Sequence, residues 1–242
     1  MNSIQKYTDA GFAKLLYERL FKSKEGLIGF IILAVILLVI LPLGLSPFRL
    51  NMAGKYLCYA FAAIGLVMCW GQAGILSLGQ GIFFGIGGYC MGMFLKLEAS
   101  DPVTTAIQTT PGIPDFMDWN QITELPLFWY PFKSFSLTVM LILILPALLA
   151  FVMSVFYFKG RVTGVVFAIL TQSMVACAWY FIVGNQGYFG GINGMTDLKT
   201  LNGWDIREES SQYILYFVCV FLLLGCVLLS RYVISTRLGR VL

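Results

Sequence analysis

Five neutral polar side chains stand out because of the apolar residues around them. Gln72, Ser77 and Gln80 crowd into the stretch GQAGILSLGQ (residues 71–80), and Thr171 and Gln172, followed by Ser173, interrupt a second greasy run. An amide or hydroxyl buried without a partner costs a few kcal/mol. Such groups must face other helices or a wet path rather than hydrocarbon. Each one alone is accounted for by hydrogen bonding between helices; as a set they suit the lining of a route for an uncharged polar solute. Glycines add a second pattern. Gly81, Gly85, Gly88 and Gly92 recur at i, i+4, i+7 and i+11, which puts four hydrogen side chains on one helical face. A neighbouring backbone can approach such a face closely, so we read it as helix packing; the other reading is a solute path over bare backbone. A further run, NQGYFGGINGMTDL (residues 185–198), holds Gly190, Gly191, Asn193 and Gly194. Glycine permits tight turns, and open N–H groups in such a loop can hydrogen-bond a passing carbonyl. These four are the candidate outer-mouth residues, with an ordinary turn as the plainer reading.

What is missing narrows the chemistry. The chain has no histidine, and so lacks the commonest general base and metal ligand. Its six cysteines, Cys58, Cys69, Cys90, Cys177, Cys219 and Cys226, lie in apolar blocks without CxxC spacing. Small buried side chains are the simplest account of them. No GxxxxGK[ST] phosphate loop occurs, so the chain is not expected to hydrolyse ATP by itself. A GxGxxG is present only in fragments at residues 85–88. The interiors of the apolar blocks are read as holding no ionisable side chain. Proton-coupled carriers keep such groups inside their spans, and an intramembrane enzyme needs an acid, a base or a metal ligand. The expectation is a transport component with no catalytic residue, no metal and no cofactor.

Positioning these groups falls to helices in a bilayer. Of 242 residues, 59% are hydrophobic and 12% are charged, against about 25% charged in a soluble domain. That is too little charge to coat a water-facing surface. Six apolar blocks, at residues 27–45, 53–70, 81–97, 135–158, 162–183 and 212–230, each run about 17–24 residues, enough to cross a hydrocarbon core of about 30 Å as helix. Backbone groups in lipid have no water partner, so the spans must be helical. The expected fold is an all-α polytopic transmembrane bundle of about six spans. Pro42 and Pro146 lie inside two blocks and should bend them. Residues 71–80 are too polar for lipid and too short to span. They suggest a re-entrant or broken segment, or else a plain cytoplasmic turn. The first block is longer than the h-region of a secretory signal, about 7–15 residues, and no cleavage site follows it.

Charge sets the orientation. With the N-terminus cytoplasmic, the inner segments carry ten basic and three acidic residues, and the outer segments six basic and nine acidic. Positive charge resists translocation, so the N-terminus is expected inside. Residues 10–25 could form an interfacial helix, since Phe12, Leu15, Leu16 and Leu20 fall at helical spacing with Lys14, Arg19 and Lys22 between them; a solvated tail is the alternative. We therefore divide the chain into a cytoplasmic segment 1–26 and a transmembrane domain 27–242. The proline-rich outer loop 98–133 contains Trp119 and Trp129, a residue type suited to the membrane–water interface. No basic cluster with interleaved aromatics suggests nucleic acid.

The stretch GQAGILSLGQGIFFGIGGYCMGMFL (71–95) resembles the permease family of branched-chain amino-acid ABC importers, typified by G-L-x-S-L-G-[QH]-x-x-F-F-G-x-G-x-Y. Ile75 replaces the usual Leu or Tyr, and the rest fits from Ser77 to Tyr89. GRVTGVVFAILTQ (160–172) and FGGINGMTDLKTLNG (189–203) are similar to a second family region, a basic turn into a helix and then a T/F-G-G-x-N-G run. Gln172, residues 196–199 and the outer PGIPDFMDWNQITELPLFWYPF (111–132) are more similar to the urea-transport branch. The resemblance implies a subunit of the bacterial inner membrane, paired with a second related permease, two cytoplasmic ATP-binding subunits and a periplasmic solute-binding protein. It implies urea or short amides as solute, with a branched-chain amino-acid permease of the same family, or a passive channel or structural membrane subunit, as the alternatives. Members continue past a Gly-Arg-x-Leu run into a coupling helix and further spans. This chain stops at Gly239, Arg240, Val241 and Leu242, which implies a C-terminal truncation.

Overall fold

The computed structural model describes residues 24–236. The expected interfacial helix at 10–25 falls almost wholly outside them, as do Gly239 to Leu242. The chain is mostly helical. In chain order the helices are α1 (Lys24–Gly44), α2 (Pro47–Ala73), α3 (Gln80–Ala99), the short α4 (Asp115–Trp119), α5 (Phe135–Lys159), α6 (Gly164–Gly184), the single turn α7 (Gln186–Phe189) and α8 (Glu209–Ser235). A 3-10 segment (Leu127–Lys133) precedes α5, and a small hairpin, β1 (Thr200–Leu201) with β2 (Trp204–Asp205), precedes α8. Among the described residues six helices, α1, α2, α3, α5, α6 and α8, are long and apolar enough to cross a membrane. Many of their large apolar side chains are exposed, among them Leu43, Phe48, Leu143, Phe156, Tyr180 and Phe221. Lipid tails are as apolar as leucine, so such surfaces cost nothing in hydrocarbon. The protein is a polytopic helical membrane protein.

The chain divides into two compact units. The first contains residues 24–74 and 212–236. Its core is Leu37, Leu50, Tyr216, Val220, Leu223 and Leu224, from α1, α2 and α8. In α1 a π turn over Ile36–Ile40 lies directly before Pro42. In that turn the Leu41 N–H bonds to the Ile36 carbonyl, five residues back. The next donor in the same register belongs to Pro42, which has no N–H. The Leu37 carbonyl is thereby left over, and the buried Tyr216 hydroxyl donates to it at 2.7 Å. The expected irregularity at Pro42 takes this form.

The second unit is residues 75–211. Here α3 packs along α5 and touches α6. Cys90 and Met93 of α3 are buried with Ile113, Phe116, Met117, Trp129 and Phe132, all from the segment between α3 and α5. That proline-rich segment is thus a folded cap with its own core. Trp129 is not an interfacial anchor as expected. It is 5% exposed, and its Nε1–H donates to the Tyr188 carbonyl at 3.1 Å. Trp119 is exposed.

Residues 71–80 are broken rather than continuous helix. Gly71, Gln72 and Ala73 finish α2, Gln80 begins α3, and only residues 74–79 lie outside helix. Gly74 ends α2 in the left-handed conformation, at φ 63°, where its N–H reaches the Cys69 carbonyl. Glycine is the residue that adopts this without strain.

Candidate functional site

The non-helical break at 74–79 is held by α6. The backbone N–H of Leu78 donates to Thr171 Oγ1 at 3.1 Å, and the same hydroxyl donates to the Ala168 carbonyl at 3.0 Å. Ser77 and Thr171 are buried. The approach is tight: a Cβ on Gly79 would lie 3.1 Å from Met174 Cε and 3.2 Å from Thr171 Cβ. Gln80, at the start of α3, is half-buried. The structure therefore brings Ser77, Gln80 and Thr171 into one unit. Gln72 ends α2 in the other unit and is exposed, and Gln172 is exposed on α6. Ser173 returns its hydroxyl to the Ile169 carbonyl at 2.8 Å.

Between α3, α5 and α6 opens a cleft of about 650 Å³. Ile82, Ile86 and Tyr89 of α3, Leu141 of α5 and Val175 and Trp179 of α6 form its walls. Phe128, Trp129, Phe132 and Phe189 close one end. The lining is aliphatic and aromatic throughout. Phe189 is the hub of the closing cluster, with ring centroids 5.4 Å from Phe181, 5.6 Å from Trp129, 6.1 Å from Phe128 and 6.2 Å from Tyr89.

The four glycines of α3 do not share one environment. Gly81 and Gly85 line the cleft. A Cβ at Gly85 or Gly88 would meet nothing within 4 Å, one at Gly81 would be 3.9 Å from Val175 Cγ1, and one at Gly92 would be 3.3 Å from Met195 Sδ.

Beyond Phe189 the chain turns back on itself at Gly190, Gly191, Asn193 and Gly194. Gly190 has φ 80°, and a Cβ there would sit 2.4 Å from the Gly194 carbonyl oxygen. The Gly190 N–H donates to the Gln186 carbonyl at 2.8 Å and the Gly194 N–H to the Gly190 carbonyl at 3.2 Å. These two N–H groups are used inside the loop. Gly190 and Gly191 are buried, and Asn193 is exposed.

A profile of the family described as branched-chain amino acid transport system, permease component, matches residues 48–242. The chain belongs to that family. No curated protein and no solved structure matches it. The matched region contains both the Ser77–Thr171 junction and the Phe189 loop, so the permease carries its break and its aromatic hub inside the family region.

One functional group of the permease escaped the sequence reading. Span interiors were expected to hold no ionisable side chain, yet Lys96 of α3 is only 3% exposed. Its ammonium donates to Asp115 Oδ2 of α4 at 2.8 Å and to the Thr196 carbonyl at 2.9 Å. A buried ammonium is tolerated only with such partners. Lys55 of α2 is exposed. Two residues on from Lys96, the Glu98 carboxylate accepts from the N–H groups of Asn202 (2.9 Å) and Gly203 (2.6 Å), the two turn residues of the hairpin. The Asn-Gly pair was a legible signal for that hairpin. Nothing in the local sequence pairs Lys96 with Asp115.

Two carboxylates on this cap, the half-buried Asp118 and the exposed Asp197, hold their charge more firmly than usual. The Thr110 hydroxyl, with the N–H groups of Thr110 and Thr109, lowers the pKa of Asp118. The Arg207 guanidinium and then the Lys199 ammonium lower that of Asp197. Among the described residues no group of three or more His, Cys, Asp or Glu could hold a metal ion.

Proposed function

We propose that this permease is the membrane-spanning subunit of an ABC importer for a small polar solute without net charge, with urea or a short amide as the narrower reading. One observation carries it. The buried charge of the second unit, Lys96, is already neutralised by Asp115, while the break beside the buried Ser77 is held by the buried Thr171 hydroxyl. Hydroxyl and amide groups exchange hydrogen bonds with a neutral solute without a large desolvation cost. The similarity of residues 111–132 and 196–199 to the urea branch supports the narrower reading. Gln80 and Gln172 belong to the proposed path with Ser77 and Thr171, Gly190, Gly191, Asn193 and Gly194 to its outer mouth, and Gly81, Gly85, Gly88 and Gly92 to helix packing along α3. The permease would pair with a second related permease, two cytoplasmic ATP-binding subunits and a periplasmic solute-binding protein. It would sit in the bacterial cytoplasmic membrane with its N-terminus inside. ATP hydrolysis would rock the paired permeases between outward and inward states.

A second reading is favoured by the cleft. Its wholly apolar lining fits a branched aliphatic side chain better than it fits urea, and so supports a branched-chain amino-acid permease. Uptake by the assembled transporter, challenged with excess urea, acetamide or leucine, separates the two. Competition by urea and acetamide alone is the expected result, and competition by leucine alone overturns the urea reading. A passive channel is tested in the same assay: uptake that persists without ATP removes the ABC assignment.

A further inference from the structure

We propose that Lys96 and Glu98 are positioning residues that make the whole cap ride on α3 as one body, so that force applied to the cap is delivered to that span. The inference rests on the transport reading above for its functional consequence, and on geometry alone for its mechanical one.

Within four residues α3 presents a cation and an anion to three separate pieces of the cap. Lys96 binds the first residue of α4 through Asp115 and the end of the Phe189–Met195 loop through the Thr196 carbonyl. Glu98 grips the turn of the hairpin through two N–H groups. α4 lies far in sequence from the other two pieces, so no short stretch of chain would hold it to them. Met195, next to Thr196, lies against Gly92 of the same helix. Below them, Cys90 and Met93 anchor the cap core.

The choice of charge for this task is informative. Apolar residues of similar volume commonly hold two helices as well as a buried ion pair does. What an ammonium adds is direction: three donors, two of them committed here to acceptors on different elements. At its other end α3 begins directly after the break that α6 holds through Thr171. A span fixed to the cap at one end and to the polar junction at the other is a lever between them. Two-site coupling of this kind needs a rigid element that both sites bias.

The test uses the full chain assembled with its permease partner, ATP-binding subunits and solute-binding protein, read by hydrogen–deuterium exchange and by uptake. Lys96→Met alone strands Asp115 and could misfold. The informative variant is therefore Lys96→Met with Asp115→Leu, which replaces the ion pair by apolar contact but cannot restore the bond to the Thr196 carbonyl. Exchange is expected to rise over 190–196 and at Phe116, whose N–H loses the Asp115 carboxylate, and to stay low over 117–119. Glu98→Gln removes one of two carboxylate acceptors, and exchange should rise over 200–205. In both variants maximal uptake should fall at least about fivefold, within the usual range of coupling between sites, with the half-saturating concentration of solute-binding protein unchanged. A cap that is merely misshapen would instead raise that concentration. Unaltered exchange over 190–205, or a raised half-saturation with unaltered maximal rate, overturns the proposal. If the parent assembly shows no ATP-dependent uptake, the transport reading fails, and the exchange measurements still decide whether the cap rides on α3.

Discussion

At the scale of single residues, the permease invests its polar groups in holding backbone. Thr171 serves as acceptor for the Leu78 N–H, in the one place where the chain between α2 and α3 lacks helical hydrogen bonds. Thr171→Val keeps the shape and removes the acceptor, leaving an N–H unpaired away from water. That costs about 1–3 kcal/mol. The expected outcome is a lower unfolding temperature of the detergent-solubilised protein, largely restored by Thr171→Ser, which keeps the hydroxyl. A Val variant as stable as the parent would show that Leu78 finds another partner. Gly190 and Gly194 make a second contrast. Both have positive φ, but a Cβ at Gly190 would collide with the Gly194 carbonyl whereas one at Gly194 meets nothing. Gly194→Ala should cost about 1–2 kcal/mol of left-handed strain and leave the loop closed. Gly190→Ala should open it, separate Phe189 from its aromatic neighbours and abolish uptake. Membrane-expressed variants assayed side by side test this ordering, and equal losses would contradict it.

Among the elements, α1 and the cap show how local defects are met by distant groups. The π turn before Pro42 leaves the Leu37 carbonyl to Tyr216. Tyr216→Phe should therefore destabilise the first unit by about 1–3 kcal/mol. Pro42→Ala in the same chain should recover part of that loss, because an alanine N–H can take up a freed carbonyl of the preceding turn. Thermal unfolding of the two single variants and the double reads this coupling directly, and strictly additive losses would refute it. The cap carries a pH dependence. Folding lowers the pKa of Asp118 and Asp197. Their stabilisation is then fully present above the unfolded carboxylate range, near about 3.9, and is lost as pH falls through their lower folded values. Asp118 is half-buried and Asp197 exposed, so the effect is small. Proteolytic nicking of the 100–134 and 196–208 segments should rise only below that range, and Asp118→Asn should remove part of the dependence. Helix existence was legible because each span needs an uninterrupted apolar run. The cap was not, since Ile113, Phe116, Met117, Trp129 and Phe132 follow no regular period and bury themselves only once the ends of α3 and α5 are present.

For the whole molecule, the sequence and the structure agree on six spans and part company over charge. Composition located the helices to within a few residues, for example 81–97 against Gln80–Ala99, because hydrocarbon thickness fixes length. Of the candidate polar set, the sequence could name the residue types but not their surroundings: Ser77 and Thr171 are buried, and Gln72 and Gln172 are exposed. Lys96 was hidden for a physical reason: its partner, Asp115, lies 19 residues away, and a lysine at the end of an apolar run looks like an ordinary interfacial residue. The proposed orientation rests on the balance of the remaining charges, since Lys133, Lys199 and Arg207 are outnumbered by acids in the outer segments. Lys159 and Arg161 flank the short turn between α5 and α6, whereas Asp101, Asp118, Glu124, Asp205 and Glu208 lie in the two segments on the other side. Positive charge is retained on the cytoplasmic face, which predicts that the cap is periplasmic. Ile107 is a fully exposed side chain of that cap. In a version with its six native cysteines replaced by serine or alanine, Ile107→Cys should react with a membrane-impermeant maleimide in intact cells, while a cysteine at Arg161 should react only after the membrane is opened. The reverse pattern would turn the molecule over, put the Lys96-bound cap on the cytosolic side and deprive a periplasmic binding protein of its docking surface.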